Sequence, residues 1–373
     1  MRLLVLELLA AAIAPAQQAT LERLYKRPFL WGTTPREITW SKKGDTLGFL
    51  WNSAGQTFLD LYAWRPGVRK PVRLTDLEPV KDKINLTEEE KDDRQKLHLA
   101  PATGLSAFSL SHDGSLAVFA YRGDLYLVDT VGTKPPFRLT RTKSFEHSPQ
   151  ISPDNSKIAF LRDGQLFVQD LKDSRLWQVT DVESPGQSLA GFDWSPDGQR
   201  FLCMVRKGQG RKLILPNYSG RFVKTRTFDR TVAGDEPVET SLFVVPAEGG
   251  DPLTLDPGPL AGKSYLTLVE WSPDSSSVLA WREHAGMKKA ILVVADAKSG
   301  QSRVLNEEKD DKWLHSTSAT WSPDSRDVVF TSDRDGWTHL YRVPAAGGQP
   351  VQLTRGNWED VDPQWAGGFI YYT

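Results

Sequence analysis

Cys203 is the only cysteine in 373 residues, so no disulfide can form within the chain and its stability must come from packing. Charge of one sign is equally lacking: 46 Lys and Arg stand against 47 Asp and Glu, a formal net charge of −1. That balance gives no electrostatic reason to expect nucleic acid or an acidic membrane surface as a partner. Beyond the N-terminus no run of 18 apolar residues occurs, which excludes a multi-pass membrane protein. Signature motifs are missing too. There is no G-x-S-x-G, H-E-x-x-H, P-loop, C-x-x-C or EF-hand spacing, and "YSGR" and "GKSY" lack the flanking glycines of a nucleophile elbow. The six histidines (98, 112, 147, 284, 315 and 339) show no metal-ligand spacing and read as surface or packing residues. No metal and no cofactor is expected.

What is present begins with "MRLLVLELLAAAIAPAQQA". Arg2 supplies a short positive region, Leu3 to Ile13 an apolar stretch and Ala14-Pro15-Ala16 an A-x-A cleavage site, although Glu7 interrupts the stretch. Residues 1–16 therefore read as a secretory signal, with a buried N-terminal helix as the alternative. The expected location is periplasmic or secreted, with no membrane association beyond export. Asn85-Leu-Thr87 and Asn217-Tyr-Ser219 match the glycosylation acceptor pattern, which matters only in a eukaryotic secretory pathway.

One short phrase recurs. It reads "ITWSKKGDTLGFLW" at Ile38, "FSLSHDGSLAVFAY" at Phe108, "PQISPDNSKIAFLR" at Pro149 and "FDWSPDGQRFLCMV" at Phe192. "VEWSPDSSSVLAWR" follows at Val269, "ATWSPDSRDVVFTS" at Ala319 and a weak "PQWAGGFIYYT" at Pro363. The residue before each Ser, or its equivalent, falls at 40, 110, 151, 194, 271, 321 and 365, giving steps of 70, 41, 43, 77, 50 and 44. Four steps match the length of a four-stranded propeller blade, and the two long ones must carry insertions.

Ser-Pro-Asp-Gly suits a type I turn with Pro pre-set at the second position and a residue tolerant of positive φ at the end. Runs such as "KIAFL" and "DVVFT" follow it, as in half-buried strands. A second strand then appears ("GDLYLVDT", "GQLFVQDL", "THLYRVPA"), and a third closes the unit ("PVRLT", "PFRLT", "LWQVT", "PVQLT"). No such unit can bury both faces of its sheet alone, so the units must stack around an axis. The fold expected is an all-β propeller over 17–373, with four-stranded blades and seven repeats, the last incomplete.

Two segments break the pattern. Residues 78–102 are charged and bounded by proline and read as a short helix and loop. Residues 206–240 form a long insertion rich in Arg and aromatics. Propeller insertions of this length sit at one rim and often carry function. The acidic runs at 87–93 and 306–311 read as solvated mixed-charge loops. "SDRDGWTHLY" (332–341) lacks the carboxylates of a calcium loop and reads as a turn and strand, with Trp337 and Tyr341 packing between blades.

These residues carry a family likeness. "ATLERLYKRPFLWGTTPREITWSKKGDTLGFLW" resembles the start of the propeller domain of dipeptidyl peptidase IV-like enzymes in the prolyl oligopeptidase family. "LPNYSGRFVKTRTFDRTVAGDEPVETSLFVV" is similar to its middle, and "TSDRDGWTHLYRVPAAGGQPVQLTRGNWEDVDPQWAGGFIYYT" to its late blades. The likeness spans about residues 19–373, and the W-S-P-D-G phrase alone is shared with TolB-type propellers. The resemblance implies an eight-bladed parent with a C-terminal α/β-hydrolase domain holding a Ser-Asp-His triad and cleaving short peptides, often after proline. This chain stops at Thr373 within its seventh repeat, so an eighth blade, the catalytic domain and closure of the "FIYYT" edge are expected in a longer parent. The Glu-Glu helix of dipeptidyl members is replaced by "DVESPGQSLAGFD" (181–193), with Glu183 alone.

The function expected is thus the non-catalytic propeller of an exported serine peptidase. Peptide substrates and a homodimer of the full-length parent are the partners this implies. Glu183, Tyr218 and Arg221 are the candidate substrate-facing residues. The alternatives are a stand-alone TolB-type periplasmic propeller that binds a protein, and a glycan-processing propeller, which needs a carboxylate pair in its funnel.

Overall fold

A computed structural model of the protein describes residues 20–26, 32–56, 58–77, 104–182, 187–208, 211–230, 232, 235, 238–314, 318–366 and 368–373. The signal at 1–16 and the charged insertion at 78–102 lie outside the described residues, as does Glu183. Among the described residues, apart from a five-residue helix, Leu21–Tyr25, all regular structure is antiparallel strand.

The chain builds six four-stranded sheets in succession. Blade one holds β1 (Arg36–Trp40), β2 (Leu47–Trp51), β3 (Asp60–Trp64) and β4 (Val72–Arg73). Blade two holds β5 (Ser109–Leu110), β6 (Leu116–Tyr121), β7 (Asp124–Asp129) and β8 (Phe137–Arg138). In blade three lie β9 (Glu146–Ile151), β10 (Lys157–Arg162), β11 (Gln165–Asp170) and β12 (Leu176–Gln178). Blade four starts with β13 (Gln187–Trp194) and β14 (Arg200–Lys207). Its chain then leaves the sheet for a hairpin, β15 (Arg211–Asn217) and β16 (Lys224–Arg230), and returns as β17 (Glu239–Pro246) and β18 (Leu253–Thr254). Blade five holds β19 (Ser264–Trp271), β20 (Ser277–His284), β21 (Lys289–Asp296) and β22 (Ser302–Lys309). Blade six holds β23 (Ala319–Trp321), β24 (Asp327–Ser332), β25 (His339–Pro344) and β26 (Val351–Gln352), and a two-stranded seventh follows, β27 (Gln364–Ala366) with β28 (Phe369–Tyr371).

Five apolar clusters join the six sheets, each bridging two consecutive blades. Leu50 and Leu61 meet Phe119; Val118 meets Ile158 and Phe160; Ala159 and Leu161 meet Phe201 and Cys203. Leu202 meets Val278 and Ala280, and Leu279 and Trp281 meet Val328 and Phe330. Successive residues of one strand thus enter different cores: Ile158 and Phe160 face blade two, Ala159 and Leu161 blade four. This corrects the expectation of half-buried strands. The second strand of each blade is covered on both faces, so its sequence runs apolar without alternation.

The recurring phrase is a hydrogen-bonded turn. In the first six copies the fourth residue (Gly44, Gly114, Asn155, Gly198, Ser275 and Ser325) has φ between 60° and 79°. In five of the six the Ser hydroxyl donates to the Asp two residues on, for instance Ser272 to Asp274 at 2.6 Å, whereas Ser41 donates to Asp45, and the hydroxyl accepts the backbone N–H five residues on, Ser277 to Ser272 at 2.9 Å. The Asp in turn accepts the backbone N–H two residues on, Ser276 to Asp274 at 3.0 Å. Asp113 is held below the ordinary carboxylate range by the Ser115 N–H and the Ser111 and Ser115 hydroxyls.

A second device lies just past four of the fourth strands. Thr75, Thr140, Thr180 and Thr354, the final Thr of each "R-L-T"-like string, accept the N–H of Leu61, Leu125, Leu166 and Leu340 at 2.9 to 3.0 Å. That bond fixes where the third strand begins.

Two local expectations are corrected. The run 306–311 is no solvated loop: strand alternation in β22 turns Asn306 and Glu308 inward onto Arg334, while Glu307 faces out and pairs with Lys289 at 3.0 Å. Tyr341 packs between blades five and six as expected, but Trp337 sits in the preceding turn and is 42% exposed.

Candidate functional site: the passage lined by the first strands

The first strands of successive blades touch one another. The Ile151 N–H of β9 donates to Ser109 Oγ of β5 at 3.4 Å, and Gln150 Nε2 donates to the Phe192 carbonyl of β13 at 2.9 Å. Trp321 Nε1 of β23 donates to the Glu270 carbonyl of β19 at 3.4 Å. The fourth strands lie outside, with Phe137 65% and Val351 53% exposed. The six sheets therefore radiate from an axis bordered by their first strands, as in a propeller with a central passage.

The residue before the Trp, Ile or Leu of each turn phrase borders this passage. In order these are Thr39, Ser109, Gln150, Asp193, Glu270 and Thr320, all polar and none fully buried. Cross-strand pairing sets their direction. Gln150 is opposite Ala159, whose side faces blade four; Asp193 is opposite Leu202, whose side faces blade five; Glu270 is opposite Leu279, whose side faces blade six. Each such side chain points at the next blade.

Two of them are carboxylates. Burial raises the Glu270 carboxyl to about 7 against the opposing pull of Lys42 and the Trp321 backbone N–H. Burial likewise raises Asp193, opposed by the hydrogen bond from Gln150 Nε2 at 3.1 Å and by the charge of Lys42. The Asp193 carboxyl is open to passage water yet walled by protein, which is why its ionised form is disfavoured. Lys42 of blade one is felt by carboxylates of blades four and five, as a residue across a shared passage must be. The glycan-processing reading asked for a carboxylate pair; these two are directed into successive gaps between blades rather than toward one another.

The residues expected to meet substrate lie elsewhere. Tyr218 and Arg221 share the loop of the β15–β16 hairpin, seven paired residues out from its base at Arg211 and Arg230. That places them about 20 Å from the base at ~3.3 Å per residue. Tyr218 is 73% exposed and Arg221 lies over the Phe222 ring at 5.7 Å. The structure brings these two together, and Glu183 lies outside the described residues. Asp193 and Glu270 were missed. The signal was the column of polar residues (T, S, Q, D, E, T) one place before the aligned Trp, Ile or Leu.

Among the described residues no group of three or more His, Cys, Asp or Glu could hold a metal ion, and no helix is long and apolar enough to cross a membrane. Buried Cys203 has its thiol pushed up by burial and by the charge of Asp193, which leaves it inert as a nucleophile.

Comparison with known proteins follows the fold. The crystal structure of Porphyromonas gingivalis dipeptidyl peptidase 4 matches with a TM-score of 0.67 at 14% identity, over 90% of this chain and 49% of that one. A probable dipeptidyl peptidase 4 of Aspergillus flavus is 23% identical over 279 residues, 64% of this chain and 35% of its own length. The dipeptidyl-peptidase 5 of Porphyromonas gingivalis is 25% identical over 210 residues, 55% of this chain and 26% of its own length. The chain thus spans about a third of the length of the curated relatives it matches. The family model of the dipeptidyl peptidase IV N-terminal region matches residues 111–367, from the second turn phrase to the seventh sheet, and the chain belongs to that family.

Proposed function

We propose that this chain is the non-catalytic propeller of an exported serine peptidase, which admits short peptides and positions them for an α/β-hydrolase domain elsewhere in the full-length protein. The observation that carries this reading is the family match over residues 111–367, on successive sheets whose first strands border a polar passage. Polar side chains suit passage of a solvated, hydrogen-bonding peptide better than tight capture of an apolar ligand. Tyr218 and Arg221 would meet substrate or partner from the tip of the hairpin, and Glu183 would hold a free amino terminus in place of the usual acidic pair. The exposed Ile214, Leu215 and Phe222 of the same hairpin would contact a second copy in a homodimer. Residues 1–16 would direct export.

The test is hydrolysis of chromogenic dipeptides with free and blocked amino termini by the intact protein from its native source. Cleavage of the free forms that a fluorophosphonate abolishes supports the reading. Absence of any peptide hydrolysis sinks it. Substituting Glu183→Ala is expected to lower kcat/KM on free amino termini and spare blocked ones.

A further inference from the structure

Three of the side chains that precede a turn phrase bond the first strand of the next blade. Ser109 accepts the Ile151 N–H, Gln150 donates to the Phe192 carbonyl, and the Trp321 backbone N–H favours the ionised form of Glu270. Asp193 does not. Its hydrogen bond is to Gln150, in the blade behind it, and among the described residues no hydrogen bond joins it to blade five.

Where that bond would lie there is a cavity of about 220 Å³ between blades four and five. Asp193 stands in its wall with Gly191, Leu202, Met204, Leu266, Thr267 and Val269. Both first strands are distorted here, with a β-bulge in β13 between Leu189 and Gly191 and another in β19 between Leu266 and Leu268. No atom lies within 4 Å of where a Cβ on Gly191 would stand, so the glycine leaves this space open.

We propose that this gap is a binding site for a monovalent organic ammonium with an apolar body, the cation on Asp193 and the body among the leucines. A divalent metal ion does not fit, because it needs six or more oxygen ligands and the wall offers one carboxylate. A neutral guest would cover that carboxylate without compensating its charge, which is costly. The size sets the scale: apolar cavities near 150 Å³ admit benzene, so this one suits a ligand of about eight to ten non-hydrogen atoms. A free amine and the amino-terminal residue of a peptide share this chemistry.

Calorimetric titration of the whole protein with 2-phenylethylamine, 2-phenylethanol and phenylalanyl-glycinamide tests the proposal. The amine should bind at least tenfold tighter than the isosteric alcohol, and Asp193→Asn should erase that difference. Leu266→Trp, on the side chain that packs between blades four and five, should fill the gap and weaken the amine at least tenfold. If the dipeptide amide matches the amine, peptide amino termini are the natural guest; if it binds at least tenfold more weakly, free amines are. Equal binding of amine and alcohol overturns the site, as does amine binding unchanged by Asp193→Asn or no binding by any of the three. Should Leu266→Trp fail to fold, the comparison of amine with alcohol on the unsubstituted protein decides alone.

Discussion

Ser275 Oγ of blade five accepts the backbone N–H of Asp197 of blade four at 3.0 Å. The same bond recurs from Asp274 to Ser325 at 3.1 Å and, with Asn155 as acceptor, from His112 at 2.8 Å. The fourth residue of a turn phrase thus both reverses its own strand and stitches its blade to the one before. Arginines add to the seam: Arg200 Nη1 donates to the Ala297 carbonyl at 3.0 Å, and Arg303 Nε to the Ala345 carbonyl at 2.6 Å.

Ser275 holds a φ of 63°, where a side chain costs about 1 kcal/mol that glycine avoids. Ser275→Ala keeps the strain and loses the bond, and should destabilise by about 1 kcal/mol. Ser275→Gly loses the bond and relieves the strain, and should stay near neutral. Urea unfolding reads the order. Alanine as stable as glycine would show that the seam bond contributes nothing.

His339 is fully buried, with Nδ1 3.0 Å from Asp360 Oδ2 and Nε2 3.0 Å from the Gly356 carbonyl. Two acceptors call for two N–H donors, so the ring is an imidazolium. Burial opposes the charge, but Asp360 and Gly356 outweigh it and raise the pKa above the ordinary histidine value. Stability from this clasp is therefore complete below about pH 6.5, the unfolded value, and is lost as pH rises through the higher folded value. The melting temperature should fall across that window and stop falling in His339→Gln. An identical pH profile in the variant would refute the assignment.

Glu146 is completely buried, and its carboxylate accepts from Arg162 Nε at 3.0 Å and from Arg162 Nη2 at 2.5 Å. Arg162→Ala strands a buried carboxylate and should destabilise by about 3 kcal/mol, whereas Arg162→Met with Glu146→Leu should recover most of the loss. Chemical denaturation of the single and double variants decides; a double variant no better than the single would contradict it.

Glu270 ionises only near pH 7, so its ionised form weakens the fold. Its raised pKa means that stability is intact below about pH 4.3, the unfolded value, and declines as pH rises through 7. Glu270→Gln should exceed the parent by about 1 to 2 kcal/mol at pH 8, a figure reduced from the full shift because passage water reaches the carboxyl. The two proteins should converge near pH 4. Equal stability at pH 8 would count against it.

The blades were legible because each turn phrase needs Ser, Asp and a φ-tolerant residue at fixed spacing, and because the "R-L-T" threonines repeat the same contact. Double burial of the second strands was misread from local pattern, since the covering face comes from a neighbouring blade 40 or more residues away in the chain. The passage was hidden for a related reason. Thr39, Ser109, Gln150, Asp193, Glu270 and Thr320 share no residue type, only a register, and that register becomes a wall when the sheets close around an axis. Asn306 and Glu308 looked like solvated charges because their partner Arg334 belongs to the next blade.

The central claim, that this propeller handles substrate while another part of the molecule does the chemistry, is tested most directly by mapping the covalent label. The intact protein from its native source is treated with a fluorophosphonate, digested and analysed by mass spectrometry. The prediction is a single labelled serine outside residues 1–373, with peptide hydrolysis lost in step with labelling. A labelled serine within residues 1–373, or peptide hydrolysis by those residues alone, would contradict it.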